Sequence, residues 1–449
     1  RDTSHCLVGS EMCIRDRCSA ALLCCLVAAS CSSGSGEGTT DAEPTASATA
    51  TPEPNEALGD NLPTPTPAPP PANAIKVGVL LDVGNLEVEN RDPGNVMSPL
   101  DRPAAIAVEA AIEALDDAGG LLGRPVSVQS VDTTSRLSVI DREAGRMIDD
   151  GVDLLVVTCE FDFAKPAIDR AEEAGILVIS PCAGETGWAT GDAGRLAFSM
   201  VPSPDTYGRA MAGYAWDQGF RTAAVLSDGT APEATEECDA FRDEWRTLGG
   251  SFSFDQSFGL RAAEALDENP DVAQVGEADV IVVCAFRIIG FELMLQLRLL
   301  GIETIMLASP SLDTGNWLPL DIANAAEGAA DLGDFRLFTL ASVWGDDPSP
   351  KMQAAIDQYF ESQDITPNSG RFVVGADLVD VWAAAVRSAG SVDGTDVAGE
   401  IRRMRDIETV SGALSFAGDQ APMSRELRVM RHNNGTYVFE QLVTAERRG

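Results

Sequence analysis

The residues that could do chemistry in this 449-residue chain are unevenly supplied: two histidines, ten cysteines, and 70 carboxylates against 32 lysines and arginines. His5 lies in the N-terminal segment, which leaves His432, in VMRHNNGT, read as a surface histidine where a strand enters a turn. One histidine builds neither a Ser-His-Asp triad nor a His-rich metal site. No GxxxxGK[ST] or GxGxxG loop follows an apolar run, so no phosphate cradle is expected. No CxxC spacing supports a thiolate metal site, and cysteines in an exported chain point to disulfides. What remains is carboxylates placed just after or at the end of apolar runs: Asp82, Glu160, Asp162, Glu185, Asp228 and Asp313. Such groups accept hydrogen bonds and attract cations, which is the chemistry of recognition.

The elements that must position them alternate. From Ile75 onward the chain reads IKVGVLL, AAIAVEAAIEALDDAGG, VSVQSVD, SVIDREAGRMIDDG, VDLLVV, AKPAIDRAEEAG and ILVIS. That order is β-α-β-α-β-α-β, which predicts a mostly parallel sheet with helices on both faces. Ligands in such sheets sit beyond the carboxyl ends of the strands, here the loops after Leu81, Val157 and Ile179 and their counterparts further on. RLAFSMVPS is a short strand, and Ser203-Pro204 supplies an N-cap and first-turn proline for a helix to Gln218. A second series follows: strand TAAVLSD, helix ATEECDAFRDEWRTLGG, strand SFSFDQSF, helix AAEALDENPDVAQV, strand DVIVVCAF, helix GFELMLQLRLLG and strand TIMLAS. The pattern repeats at domain scale, and the length predicts two compact units.

The net charge is −38. Residues 1–31 hold three arginines against Asp2, Glu11 and Asp16, so removing them leaves that charge unchanged. A chain this acidic is repelled by nucleic acid and by anionic membrane surfaces, so no nucleic-acid partner is expected. Residues 1–17 lack an initiating Met and read as translated adaptor DNA, with no function assigned. Residues 18–31 form a short apolar run behind Arg15 and Arg17, an export signal rather than a span. Ala28-Ala29-Ser30-Cys31 resembles a bacterial lipobox, with Cys31 as the acylated residue; a simple cleaved signal is the alternative. Residues 32–73, rich in Thr, Pro, Ala and Ser, carry six acids and no base and are expected to stay an extended tether. At ~3.1 Å per residue it would reach on the order of 100 Å.

The segments IKVGVLLDVG, AAIAVEAAIEALDDAGGLLGRPVSV, MIDDGVDLLVV and AEEAGILVISP resemble the type I periplasmic binding proteins, in the leucine/isoleucine/valine-binding branch that serves ABC importers. AFSMVPSPDTYGRAMAGYA, GADLVDVWAAAVRSAGS and VSGALSFAGDQ continue the likeness in order, so that it covers residues 74–445. The resemblance implies an α/β fold of two Rossmann-like lobes with parallel sheets, joined by three hinge crossovers near Val201-Pro202, Leu340-Ala341 and Ser411-Gly412. Lobe I would comprise 74–201 and 342–411, and lobe II 202–341 and 412–445, with ligand held in the cleft between them.

The implied ligand-binding residues depart from the family pattern. After the first strand come Asp82 and Asn85, followed by a long loop that is either a cleft-edge flap or plain surface. The third loop, Thr158-Cys159-Glu160-Phe161-Asp162, replaces hydroxyls that hold a ligand carboxylate at a helix N-terminus; its acids either repel such a group or cap the helix. The fourth holds Cys182, Ala183, Gly184 and Glu185, with Trp188 either walling the pocket or packing under the loop. In lobe II, Asp228 is family-like, Ala231-Pro232 stands where a Tyr covers the ligand, and Phe286 and Arg287 take the place of aromatic pocket residues. Arg287 either grips a carboxylate or makes a surface ion pair. Ser311 and Asp313 lie where relatives bind an ammonium. Cys159–Cys182 is the expected bridge, closing neighbouring strands, with Cys238–Cys284 as a second candidate.

The reading is an extracytoplasmic solute-binding lipoprotein, in the periplasm or on the outer face of the membrane, touching the membrane only through its lipid. It would deliver an amino acid, amide or related polar solute to an ABC permease, with no cofactor and no metal. A sensor component for a membrane signalling partner is the alternative, and an enzyme is disfavoured by the missing base, phosphate loop and nucleophile elbow. The acids at strand ends against Arg287 favour a cationic or hydrogen-donating ligand over a simple branched-chain amino acid.

Overall fold

Runs of Val, Ile and Leu buried on both faces build two sheets. The computed structural model describes residues 71–84, 98–313, 332–363, 367, 369–433 and 436–446, apart from the side chains of 98, 99, 287, 288, 362, 363, 433 and 436. The expected signal, Cys31, residues 32–70 of the tether and the 85–97 loop lie outside the described residues.

The first sheet has five parallel strands: β1 (Ile75–Leu81), β2 (Val126–Asp132), β3 (Leu154–Val157), β4 (Leu177–Ser180) and β5 (Ala197–Ser199), in the order β2-β1-β3-β4-β5. Alternation along β1 sends Val77 and Val79 into one apolar cluster and Leu80 into another, so both faces need helices. Helices α1 (Ser98–Asp117), α2 (Leu137–Asp149), α3 (Phe161–Ala174) and the short α4 (Thr186–Thr190) follow successive strands.

The second sheet holds β6 (Thr222–Asp228), β7 (Ser251–Phe258), β8 (Val280–Cys284), β9 (Met306–Ala308) and β10 (Phe335–Thr339), all parallel, ordered β10-β9-β8-β6-β7. Helices α5 (Pro204–Asp217) and α6 (Pro232–Leu248) pack together on the face to which Val225 and Val282 belong. On the other face, with Leu226 and Val283, lie α7 (Ala262–Asp267) and α8 (Arg287–Leu299). The expected helix 262–275 stops early: α7 ends at Asp267, and Val272–Glu277 form a 3-10 turn. Pro270 explains this, since it offers no N–H and pushes Asn269 out of the helical region.

The chain then returns to the first lobe through α9 (Met352–Gln363), α10 (Val373–Ala389) and α11 (Gly394–Arg403), of which α9 and α10 pack on α1 and α11 on β4. It ends in antiparallel strands β11 (Ile407–Thr409), β12 (Gly412–Ser415), β13 (Ser424–Asn433) and β14 (Thr436–Glu446). β13 joins the second sheet through β10, carries β12 on its first residues and pairs along its length with β14. Its interior position overturns the reading of His432 as a surface residue. The ring is 6% exposed, stacked on Phe335 at 4.5 Å, with Nδ1 3.1 Å from the Gly333 carbonyl.

Two arginines of β13 fasten the three passages between lobes. Arg425 pairs with buried Asp377 of α10 and donates to the Met200 carbonyl and, at 2.8 Å, to the Ser411 hydroxyl. Arg428 forks onto both oxygens of Asp347, each at 3.0 Å, and donates to the Ser411 carbonyl.

Candidate functional site

Loops after strands of both sheets enclose a cavity of about 280 Å³. From the first lobe come Cys159, Glu160, Cys182, Gly184 and Glu185, which follow β3 and β4. From the second come Phe286, Ser311 and Asp313, which follow β8 and β9. Tyr207, Glu233 and Glu237, on α5 and α6, together with Thr339, Leu340 and Arg371, complete the polar and aromatic part of the wall.

Buried Asp101 of α1 sets the first-lobe rim, accepting the Asp82 N–H at 2.9 Å and the Cys159 N–H at 3.0 Å. Burial pushes its carboxyl up to about 7. The Ser180 hydroxyl donates to the Thr158 carbonyl at 2.9 Å and accepts the Ala183 N–H at 3.0 Å, which ties the two loops together. A disulfide joins Cys159 to Cys182, with Cα atoms 4.7 Å apart. A second, Cys238–Cys284 with Cα atoms 5.7 Å apart, ties α6 to the end of β8.

The start of α3 is the natural seat for an anion, because its first N–H groups have no partner within the helix. The N-cap residue Glu160 makes no close capping hydrogen bond, yet the Asp162 and Phe163 N–H groups already act on its carboxylate. Glu185 reaches across from the next loop, its Oε1 accepting the Phe161 N–H at 2.7 Å. Trp188 is fully buried and meets Phe161 edge-on at 6.3 Å, so it packs under the loop and does not wall the cavity.

On the far side, α5 and α6 approach so closely that a Cβ on Gly208 would lie 2.0 Å from the Glu237 carbonyl oxygen. That contact sets the depth of Glu237, which is 1% exposed. Asp313, also 1% exposed, accepts the Gly370 N–H at 3.1 Å and the Thr339 hydroxyl. Arg371 donates through Nε to the Asp313 carbonyl at 2.9 Å and through Nη2 to that of Pro310 at 2.8 Å. These bonds latch the loop before α10, in the first lobe, to the loop after β9 in the second. A Cβ on Gly370 would lie 2.3 Å from the Thr339 hydroxyl, so this approach needs glycine. The Thr186 hydroxyl donates to Glu236 of α6 at 2.6 Å and bridges the lobes at the opposite rim.

Four carboxylate oxygens here are buried without a hydrogen-bond partner: Glu160 Oε2, Glu185 Oε2, Glu237 Oε1 and Asp313 Oδ1. An unpaired buried acceptor costs about 1–3 kcal/mol. Burial raises all four carboxyls, Glu185 to about 7 and Glu237 to about 8. For Glu185 the charges of Glu233 and Glu160 add to burial, while the Phe161 N–H opposes it. For Glu237 the Ser309 hydroxyl and Arg371 oppose burial and do not overcome it.

These shifts set a pH dependence. The folded protein holds protons on Glu185 and Glu237 that an unfolded chain releases near 4.5. The stability they contribute is full below that value and lost as pH rises through 7 and then 8. The melting temperature by calorimetry should fall from about pH 5 to about pH 8 and level off above, and Glu237→Gln should flatten the fall. An unchanged slope in the variant would exclude Glu237 as its source.

Of the residues singled out from sequence, Asp82, Phe161, Asp162, Ala183 and Asp228 do not line the cavity. Asp82 accepts the Gly84 N–H at 3.0 Å and the Ser135 hydroxyl at 2.6 Å. Asp228 accepts the Thr230 N–H at 2.8 Å and its hydroxyl at 2.6 Å. Each strand-end acid shapes its own turn. Ala183 is buried, its N–H on Ser180, and Phe161 packs against Trp188. Phe286 lines the mouth at 40% exposure, and the Arg287 side chain lies outside the described residues. Among the described residues the arginine at the cavity is Arg371, which sequence reasoning passed over, as it did Glu233 and Glu237. Among the described residues no cluster of His, Cys, Asp and Glu is arranged to hold a metal, and no helix is long and apolar enough to cross a membrane.

Residues 74–436 match the family described as periplasmic binding protein. The chain belongs to that family. No curated protein matches it in sequence. Its fold matches a leucine binding protein from Thermotoga maritima at a TM-score of 0.63 and 19% identity, over 82% of this chain and 99% of that one. It also matches a branched-chain amino acid transporter substrate binding protein from Streptococcus pneumoniae in complex with isoleucine (0.65, 18%, 83% and 100%). A solute binding protein of an ABC transporter from R. palustris in complex with benzoate matches at 0.60 and 18%, over 83% and 98%. The family is one of solute-binding proteins rather than enzymes, and the two-lobed α/β architecture is that of its type I members.

Proposed function

We propose that this chain is the extracytoplasmic solute-binding component of an ABC importer: it captures a small polar ligand between its lobes and passes it to a permease without altering it. The observation that carries this reading is the cavity itself, walled by strand-end loops of both sheets and latched across the cleft by Asp313, Arg371 and the Thr186–Glu236 bond. A ligand touching both walls favours the closed arrangement by its differential contacts, which is what hinge capture requires. Acylation at Cys31 and the 32–73 tether would keep the domain near its permease. Neighbours of the same fold hold isoleucine in one case and benzoate in another, so the ligand follows from the site and not from the fold.

The test is a thermal-shift screen over amino acids, amides, amines and small organic acids, followed by uptake of the best binder in cells lacking this chain. Raised melting temperature together with lost uptake is the expected result. A binder whose uptake survives deletion would assign the chain to sensing instead, and a screen without binders would overturn capture.

A further inference from the structure

Resting on the solute-capture reading, we propose that the cleft selects a compact aliphatic diamine, with two N–H-rich cationic ends, a short hydrocarbon between them and no free carboxylate. Three observations carry this.

First, the four acids that carry orphan acceptors line one cavity, on both walls. Glu237 and Asp313 are each 1% exposed, and each has a carboxylate oxygen with no donor; so do Glu160 and Glu185 on the opposite lobe. Ammonium groups bring three donors each and match them. A quaternary ammonium, which has no N–H, would not.

Second, the acids fall into two groups by the charges that act on them. Glu185 is acted on by Glu160 and Glu233, and Glu160 by Glu233 and the exposed Asp162. Glu237 and Asp313 each feel Arg371. Leu100, Val201, Tyr207 and Leu340 supply apolar wall for a methylene chain in the same cavity.

Third, the seat for a ligand carboxylate is already taken. At the N-terminus of α3 the Phe161 N–H is taken by Glu185 and the Asp162 and Phe163 N–H groups act on Glu160, so a second anion there would meet both carboxylates and Glu233. Arg371 has Nε and Nη2 engaged by backbone carbonyls, and Glu237 and Asp313 line the cavity with it.

The experiment is calorimetric titration of the intact chain with 1,4-diaminobutane, with ornithine (the same diamine carrying a carboxylate) and with leucine. We expect the diamine to bind at least about 100-fold more tightly than ornithine, and leucine not at all. Glu185→Gln and Glu160→Gln should each weaken the diamine by about tenfold or more. An unshifted melting profile in at least one variant separates this from misfolding. The wild-type affinity should rise with pH from about 6 to about 9, with proton release on binding, because the cation requires Glu185 and Glu237 ionised among Glu160, Glu233, Asp313 and Arg371. Ornithine or leucine binding as tightly as the diamine would overturn the proposal while leaving capture intact. No heat from any compound in this set or from the wider screen would remove both.

Discussion

Replacing Arg425 by Leu should cost about 3–5 kcal/mol of folding free energy, because it strands a buried carboxylate. Asp377 is fully buried and Arg425 is 1% exposed. Asp377 also accepts the Ser411 N–H at 3.0 Å and the Ser411 hydroxyl at 2.6 Å, so its position is fixed and it has no route to water. The arginine's other partners are the Met200 carbonyl and Ser411, at the first and third passages between lobes, while Arg428 ties Ser411 to Asp347 after the second. One patch of β13 thus holds all three connections between the lobes. Replacing both members of the pair by leucine should cost less than either single change, since no lone charge is then left behind. Urea unfolding of the four proteins of this cycle measures it. A single-variant loss below about 1 kcal/mol would mean that the carboxylate finds another partner or protonates freely.

The strands and helices were legible because their cause is local. IKVGVLL buries alternate residues in different clusters, and an apolar run this short, rich in Val, Ile and Leu, reads as a strand covered on both faces. The misjudged helix after Arg261 failed for a reason present in the sequence, the ENPD segment, where Pro270 outweighs the helix-forming alanines before it. His432 was misplaced because burial of β13 is decided by β10 and β14 on its two sides, which local pattern does not reveal.

The site divides in the same way. Glu160, Glu185, Ser311 and Asp313 were found because they follow strands, and the ends of parallel strands open onto the cleft. Asp82 and Asp228 satisfy the same rule, yet their short side chains turn back to N–H and hydroxyl groups within or beside their own loops. Glu233 and Glu237 carried a usable signal, being four apart on the helix that directly follows a strand end, hence on one face near the cleft. Arg371 carried none. It reaches the cavity because the loop before α10 is drawn against Asp313, a contact between residues far apart in sequence.

Opening both disulfides should be the most damaging single treatment of the folded chain. Cys159–Cys182 and Cys238–Cys284 close segments with sequence separations of 23 and 46 residues. Chain-entropy reasoning assigns loops of those lengths about 3.5 and about 4 kcal/mol, through the freedom each denies the unfolded chain. The two segments do not overlap, and the bridges lie in different lobes, so the losses should nearly add. About 7 kcal/mol is comparable with the whole stability of an ordinary domain, typically 5–15 kcal/mol. Unfolding in urea with and without a phosphine reductant, and of the Cys159→Ala/Cys182→Ala and Cys238→Ala/Cys284→Ala pairs, separates the contributions. The first pair has a further consequence, because both of its sulfur-bearing residues line the cavity and the bridge couples the Glu160 loop to the Glu185 loop. Losing it should loosen the seat at the start of α3 and weaken ligand binding even where the fold survives. The second pair, buried between α6 and β8, reaches the cavity only through its neighbours Glu237 and Phe286, so it should affect stability first and affinity less. Equal loss of affinity in both variants, or a change in unfolding free energy below about 1 kcal/mol on full reduction, would contradict this division of roles.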